Sequence, residues 1–320
     1  MISAVICTVN PRLDYLERTV KSLLEQDLEK GNWELVVVDN ASSRPLETLP
    51  VISENALRVV REERVGLTAA KERAAREVAG EVIVFVDDDN VLAPDYLRTV
   101  LEIFADANVG VVGPDITAEY ETEPPAWFLD PRLEASVVVR RLPNDRLYVS
   151  TIPETGTYFP SGAGSCVRRS VLVSYFDSLT AATRVEGRKG KVLSGGEDWD
   201  IALFAISQGL LVGTCGRLRL THLIPNKRLE RAYLERLVVG SLEGAAQVNA
   251  KWEPYFGHTV VPYFTGSPAK EAVKGLAHIC LSTSPRHRIL ARFHLHLAWL
   301  LHKKTRGGTS ALGLGARHTT

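Results

Sequence analysis

"EVIVFVDDDNVLAPDYL", residues 81–97, passes from a run of strand-forming residues directly into Asp87, Asp88 and Asp89. Val82 to Val86 shows no alternation of apolar and polar residues, the pattern of a strand buried on both faces. Such strands belong to parallel sheets covered by helices, where ligands sit beyond the carboxyl ends of the strands. Adjacent carboxylates repel one another, and burying an unpaired one is costly. A hard divalent cation, Mn2+ or Mg2+, relieves that conflict and commonly bridges to substrate phosphates. The plainer alternative is an acidic loop ahead of a helix, where aspartates complement the N-terminal dipole.

The segments before this stretch follow the same grammar. "ISAVICTV" (2–9) reads as a first strand. Asn10 then serves as N-cap and Pro11 as first residue of a helix with Leu13, Leu16, Val20, Leu23 and Leu24 at helical spacing. "ELVVVDN" (34–40) is a second strand ending in Asp39, "ALRVVRE" (56–62) a third, and "GLTAAKERAAREVAG" (66–80) a helix closed by Gly80. "EVIVFV" is the fourth strand, "APDYLRTVLEIFAD" a helix and "NVGVVG" the fifth strand. This alternation predicts an α/β fold, a Rossmann-like, mostly parallel sheet with helices on both faces. Asp39 and the Asp87–Asp89 run then lie at the ligand-binding edge.

Further along, "EYETEPPAWFLDPRLE" is Pro-rich and leads to two short strand-like runs, and "TRVEGRKGKVLSGG" (183–196) is a polar, basic, Gly-rich loop. "EDWDIALFAISQGL" (197–210) returns to helix, and "RLRLTHLIP" (217–225) reads as a strand ending at His222. The expected organisation is a catalytic domain over 1–228, a helical region over 229–304 and a disordered tail over 305–320. No internal repeat is visible.

Several other residues could carry chemistry. A carboxylate at a strand end, such as Asp39, can accept hydrogen bonds from a base edge or ribose, or simply from its own turn. Glu197 and Asp198 open a helix beneath a flexible loop; they complement the helix dipole, or one of them acts as general base. His222 is either structural or, as a neutral imidazole, a metal ligand.

Composition excludes several classes. Lys plus Arg and Asp plus Glu are both 38, so no basic surplus marks a nucleic-acid binder. Cys7, Cys166, Cys215 and Cys280 are far apart, which argues against a disulfide framework or zinc site and fits a reducing, cytoplasmic location. The N-terminus lacks the basic region of a signal peptide, and no apolar run reaches the length of a membrane span.

"ISAVICTVN", "VVVDN", "VGLTAAKERAAREVAGEVIVFVDDDN", "FPSGAGSCVRRSVL" and "GGEDWDIALFAISQGL", in this order, resemble the family 2 glycosyltransferases with the GT-A fold. The resemblance covers roughly residues 1–225. It implies that Thr8, Asp39, Gly66, Lys71, Asp87 and Asp88 bind the nucleotide. It implies a metal held by Asp87 and Asp89, Asp89 being the direct ligand, with His222 added. Gly162, Ala163, Gly164 and Trp199 would lie beside donor sugar and acceptor, and the Glu197–Asp198 pair would supply the base, Asp198 in particular. Arg64 and Glu72 stand where asparagines are common, Lys71 replaces a frequent arginine, and Phe204 or Ala205 stands where an arginine is typical. The Q-x-x-R-W element of processive synthases is absent.

The resemblance therefore implies a metal-dependent, inverting hexosyltransferase. It would move one sugar from a UDP-, GDP- or dTDP-linked donor to an acceptor hydroxyl, in polysaccharide, glycolipid or cell-surface glycan biosynthesis. Two rivals are a sugar-nucleotide binding module without turnover and a haloacid-dehalogenase-like phosphatase, whose D-x-D-x-[TV] signature "DDDNV" fits. Donor hydrolysis without acceptor would discriminate against the first, and inertness toward a generic phosphate ester against the second. Finally, "SPRHRILARFHLHLAWLLHKK" (284–304) carries Leu290, Phe293, Leu297, Leu300 and Leu301 in one stripe flanked by basic residues. That stripe would rest on an anionic membrane surface, on the catalytic domain, or on a second subunit of a homo-oligomer.

Overall fold

The structure, a computed structural model, describes residues 1–156, 158–190, 192–281 and 283–307. Among the described residues nine strands form one sheet: β1 (Ile2–Thr8), β2 (Trp33–Asp39), β3 (Arg58–Arg61), β4 (Val82–Val86), β5 (Asn90–Leu92), β6 (Val109–Tyr120), β7 (Leu147–Ser150), β8 (Cys166–Arg168) and β9 (Leu211–Ile224). The α-helices of the described residues are α1 (Leu13–Leu24), α2 (Pro50–Ser53), α3 (Leu67–Glu77), α4 (Tyr96–Phe104), α5 (Pro131–Ser136), α6 (Arg169–Ser178), α7 (Glu197–Ser207), α8 (Arg231–Phe256), α9 (Pro268–Leu281) and α10 (Pro285–Gly307).

The sheet order is β3-β2-β1-β4-β8-β6-β9-β5, with β7 also on β9. β3, β2, β1 and β4 run parallel, as the continuous apolar strands require. β8 then reverses direction against both β4 and β6. β1, β2 and β4 are buried on both sides: Val5, Val36, Val38, Ile83 and Phe85 face α3, α6 and α7. Ala4, Ile6, Val37, Val82 and Val84 face α1 and α4.

Several expected boundaries move, each for a local reason. Asn10 is not an N-cap: it takes a positive φ of 48°, and its side-chain oxygen accepts from the Ser43 backbone N–H at 2.9 Å. α1 accordingly starts at Leu13 with Arg12 as cap. α3 ends at Glu77 rather than Gly80, and the Gly80 N–H donates to the Ser3 hydroxyl at 2.9 Å. His222 does not end its strand, since β9 continues to Ile224. β5 has no counterpart in the sequence reading, and it pairs antiparallel with β9, Asn90 opposite His222.

Beyond Ile224 the described chain is helical. The stripe of α10 turns inward: Leu290, Leu297, Leu300 and Leu301 are buried, and Phe293 packs against two of the three cores. The stripe is therefore covered by α8 and the rest of the packed core. Residues 305–307 belong to α10, while 308–320, the rest of the expected tail, lie outside the described residues. Among the described residues no helix is long and apolar enough to cross a membrane.

Candidate active site

The parallel register places Thr8, Asp39 and the Asp87–Asp89 turn along one edge of the sheet. Thr8 donates its hydroxyl proton to Asp88. Asp39, 1% exposed, accepts from the Ser42 backbone N–H at 2.9 Å and from Arg61 Nη1 at 2.6 Å, so its turn role is realised. Arg61 was missed from sequence. The signal was available, because "RVVR" as a parallel strand sets Arg61 level with Asp39. Gly66 donates its N–H to Asn40 Oδ1 at 2.7 Å, which pins the start of α3 beside the same edge.

β5 explains how the acidic run meets His222. The Leu223 N–H donates to the Asp89 carbonyl at 2.8 Å, bringing the Asp89 carboxylate within 3.5 Å of His222 Nε2. Arg228 completes the group, with Nη2 2.7 Å from Asp89 Oδ2 and Nη1 2.7 Å from His222 Nε2. Burial alone would push the Asp89 carboxyl up; the His222 ring and Arg228 outweigh it and hold it well below the usual carboxylate range. Asp88 is pushed up to about 7 by burial and by the charge of Asp89, and Asp87 is raised by the same two causes.

The expected ligand trio is not assembled. Among the described residues no three His, Cys, Asp or Glu side chains converge on a point that could hold a metal ion. Asp89 and His222 come together, whereas Asp87 lies in the field of Arg188 and Lys71. Successive residues of a tight turn point different ways, which the D-D-D spelling hides.

The second half of the site is the start of α7, where Gly196 at φ 111° turns the chain into the helix. Lys71 pairs with Glu197 at 3.0 Å, and both side chains are buried. Glu197 is thereby occupied, and Asp198 is the member of the pair that is left for chemistry. Its Oδ1 accepts from the Trp199 N–H at 2.9 Å, and Trp199 itself leans on the core. Burial and the charge of Glu197 push the Asp198 carboxyl up to about 6, against the pull of Lys71.

Gly162 lies against both groups: a Cβ there would stand 3.5 Å from Asp198 Oδ2 and from Lys71 Nζ. Ala163 is buried behind it, and the Gly164 carbonyl accepts from Tyr96 Oη at 2.6 Å, fixing the turn to α4. Asp200, fully buried, accepts from Tyr175 Oη (2.6 Å), Trp252 Nε1 (2.6 Å) and Lys251 Nζ (2.8 Å). It ties the first turn of α7 to α6 and α8. Its partners lie 25 and 51–52 residues away, so no local pattern could reveal them.

The loop over 183–196 is docked. Gly187 donates its N–H to Thr68 Oγ1 at 2.8 Å, and the Arg188 carbonyl accepts from the Leu67 N–H at 3.0 Å. Its far end lies on α8, where Gly240 and Gly244 leave room for the carbonyls of Leu193 and Gly195. Gly244→Ala should lower stability by about 2 kcal/mol, because the new Cβ would overlap the Gly195 carbonyl oxygen. On helix propensity alone the change would stabilise by about 1 kcal/mol. The sign of the thermal-unfolding shift is therefore diagnostic, and an unchanged or raised Tm would show that the loop does not depend on this contact.

Comparison with known proteins shows what the chain is similar to. The profile of glycosyl transferase family 2 matches residues 3–176. The putative teichuronic acid biosynthesis glycosyltransferase TuaG of Bacillus subtilis is 31% identical over 106 residues, 32% of this chain and 41% of that protein. The putative glycosyltransferase EpsH of the same organism is 27% identical over 126 residues, 38% of this chain and 35% of that protein. The chain thus spans less than half the length of the curated relatives it matches. Among solved structures, a mannosyltransferase of Pyrobaculum calidifontis in complex with GDP-Man and Mn2+ superimposes with a TM-score of 0.56 at 18% identity, covering 93% of this chain and 85% of that one. GalNAc-T7 with UDP, GalNAc and Mn2+ gives 0.55 at 18% identity, covering 85% of this chain and 50% of that one. The fold is thus that of GT-A glycosyltransferases, the phosphatase reading falls away, and the chain belongs to glycosyltransferase family 2.

Proposed function

We propose that this glycosyltransferase moves a single hexosyl unit, with inversion, from a nucleotide-diphosphate sugar to an acceptor hydroxyl in glycan biosynthesis. The observation that carries the reading is Asp198: a buried carboxyl lifted to about 6, opening a helix and lying against Gly162. A carboxyl with that value is ionised at neutral pH and basic enough to accept a proton late in the transfer. Asp198 would orient the acceptor hydroxyl and take its proton as the oxygen attacks the face opposite the leaving group. Lys71 and Glu197 would hold the first turn of α7 in place. The edge formed by Thr8, Asp39, Gly66, Asp87 and Asp88 would receive the nucleotide, with the docked 183–196 loop excluding water. Gly162, Ala163, Gly164 and Trp199 would border the sugar and the acceptor.

Part of the expected set would also suit a divalent cation. Burial and the charge of Asp89 raise both Asp87 and Asp88, so added positive charge there would be stabilising, and the Asp89 carboxylate lies beside His222. Mn2+ or Mg2+ commonly takes one or two protein ligands and completes its shell with phosphate oxygens and water. Asp89 and His222 would hold it, and its charge would stabilise the departing diphosphate. Arg228 already neutralises Asp89 and would compete for the same oxygen. The relatives solved with GDP-Man or UDP and Mn2+ support this donor and metal class.

A thermal-shift comparison of UDP, GDP and dTDP, each with and without Mn2+, tests the reading. One nucleotide with metal should raise stability by about 2.7 kcal/mol at a hundredfold excess over its Kd. Asp89→Ala should abolish the part that depends on metal. Equal stabilisation with and without Mn2+ would refute the metal assignment.

A further inference from the structure

Residues 268–307 contain eight Lys or Arg and one acidic residue, Glu271, in a chain whose formal net charge is zero. The fold gathers this charge around apolar surface. α9 packs on α10 and buries only Glu271 and Gly275, the latter against Leu295. Glu271 is held by His294 at 2.7 Å and Lys274 at 2.5 Å, Arg286 pairs with Asp130 and Lys304 with Glu253, which leaves Lys270, Arg288, Arg292 and Lys303 as the cations the face presents. On the outer side of α9, Val273, Leu276, Ile279 and Leu281 are 54–71% exposed. Ala269, Val273, Leu276 and Cys280 recur three or four residues apart, which makes one continuous stripe. Lys270 and Lys274 stand at its margin.

The neighbouring edge of α10 has the same character. Arg288, Arg292, Leu295, Trp299 and Lys303 follow helical spacing; Leu295 meets Gly275, and Arg292 borders the groove against α8 beside Glu235 and Glu243. Trp299 is 49% exposed, and Lys303 Nζ lies 4.8 Å from its ring centroid. Arg288, Arg292 and Lys303 are exposed beside it.

We propose that this face, the outer stripe of α9 with the Arg288–Lys303 edge of α10, seats on an anionic lipid bilayer surface. The chemistry selects that partner. An apolar stripe bordered by Lys and Arg, with a half-exposed Trp at its rim, matches the acyl–headgroup boundary of a membrane carrying negative lipids. A second copy of this chain is a poor match, because its face would present the same cations while Glu271 is already held by His294 and Lys274. The contact would lie in the membrane plane, since neither helix can span.

The test reads binding, so it stands or falls independently of the catalytic proposal. The full chain is co-sedimented with phosphatidylcholine vesicles, with or without about 30% phosphatidylglycerol, whose negative surface attracts basic segments. Binding should require the anionic lipid and weaken at high salt. Val273→Glu with Leu276→Glu alters side chains already in solvent, so the fold should persist by circular dichroism while affinity drops at least about tenfold. Brominated acyl chains should quench tryptophan emission of the wild type, and Trp299→Phe should remove most of that quenching. Absence of binding to anionic vesicles, or unchanged binding of the Val273→Glu, Leu276→Glu protein, would overturn the proposal. So would a dimer in light scattering that this double substitution dissolves, since a second copy would then cover the face.

Discussion

Replacing Asp198 by Asn should lower the transfer rate by about 10³-fold while leaving donor affinity nearly unchanged. Asn keeps the volume, and its side-chain oxygen can still accept the Trp199 N–H now bonded to Asp198 at 2.9 Å. What disappears is a site for the proton that the acceptor hydroxyl must release. The pH profile supplies a second, independent reading. Burial and Glu197 lift the Asp198 carboxyl to about 6, so the ionised base is scarce at pH 5 and dominant at pH 7. Transfer should therefore rise as pH increases through about 6 and level off above it. In Asp198→Asn that acid limb should vanish from the residual activity. Wild-type rates in the variant, or a limb that persists unmoved, would transfer the role of base to another group.

Much of this site could be read from the chain before any coordinate was known, and the misses have a common cause. β1, β2 and β4 announced themselves because a strand buried on both faces leaves an unbroken apolar run. Their terminal residues Thr8, Asp39 and Asp87 then followed from the parallel register. β5 was invisible: three residues after an acidic turn carry no periodicity, and its partner β9 lies about 130 residues later in sequence. Yet β5 is the element that carries Asp89 to His222. Arg228 and Asp200 were missed for the same reason, since their meaning lies wholly in long-range partners. Periodicity likewise showed that α10 has an apolar face without showing what covers it. The stripe at Leu290 to Leu301 packs inward, and the face left in solvent belongs to the less conspicuous α9.

Lys71→Met should destabilise the protein by about 3–5 kcal/mol, because it strands the Glu197 carboxylate in a buried site. The pair itself need not contribute much stability: desolvating two charges costs nearly what their attraction returns. Breaking it on one side is what is expensive. Lys71→Met combined with Glu197→Gln should therefore recover most of the loss, and a double-mutant cycle in chemical denaturation would measure that coupling. The same substitutions should move the acid limb in opposite directions. Lys71 lowers the Asp198 carboxyl and Glu197 raises it, so Lys71→Met should shift the limb to higher pH and Glu197→Gln to lower pH. A merely structural pair would change stability and leave the limb at about 6 in both variants. Opposite shifts would place Lys71 and Glu197 around Asp198 as the two charges that set its basicity.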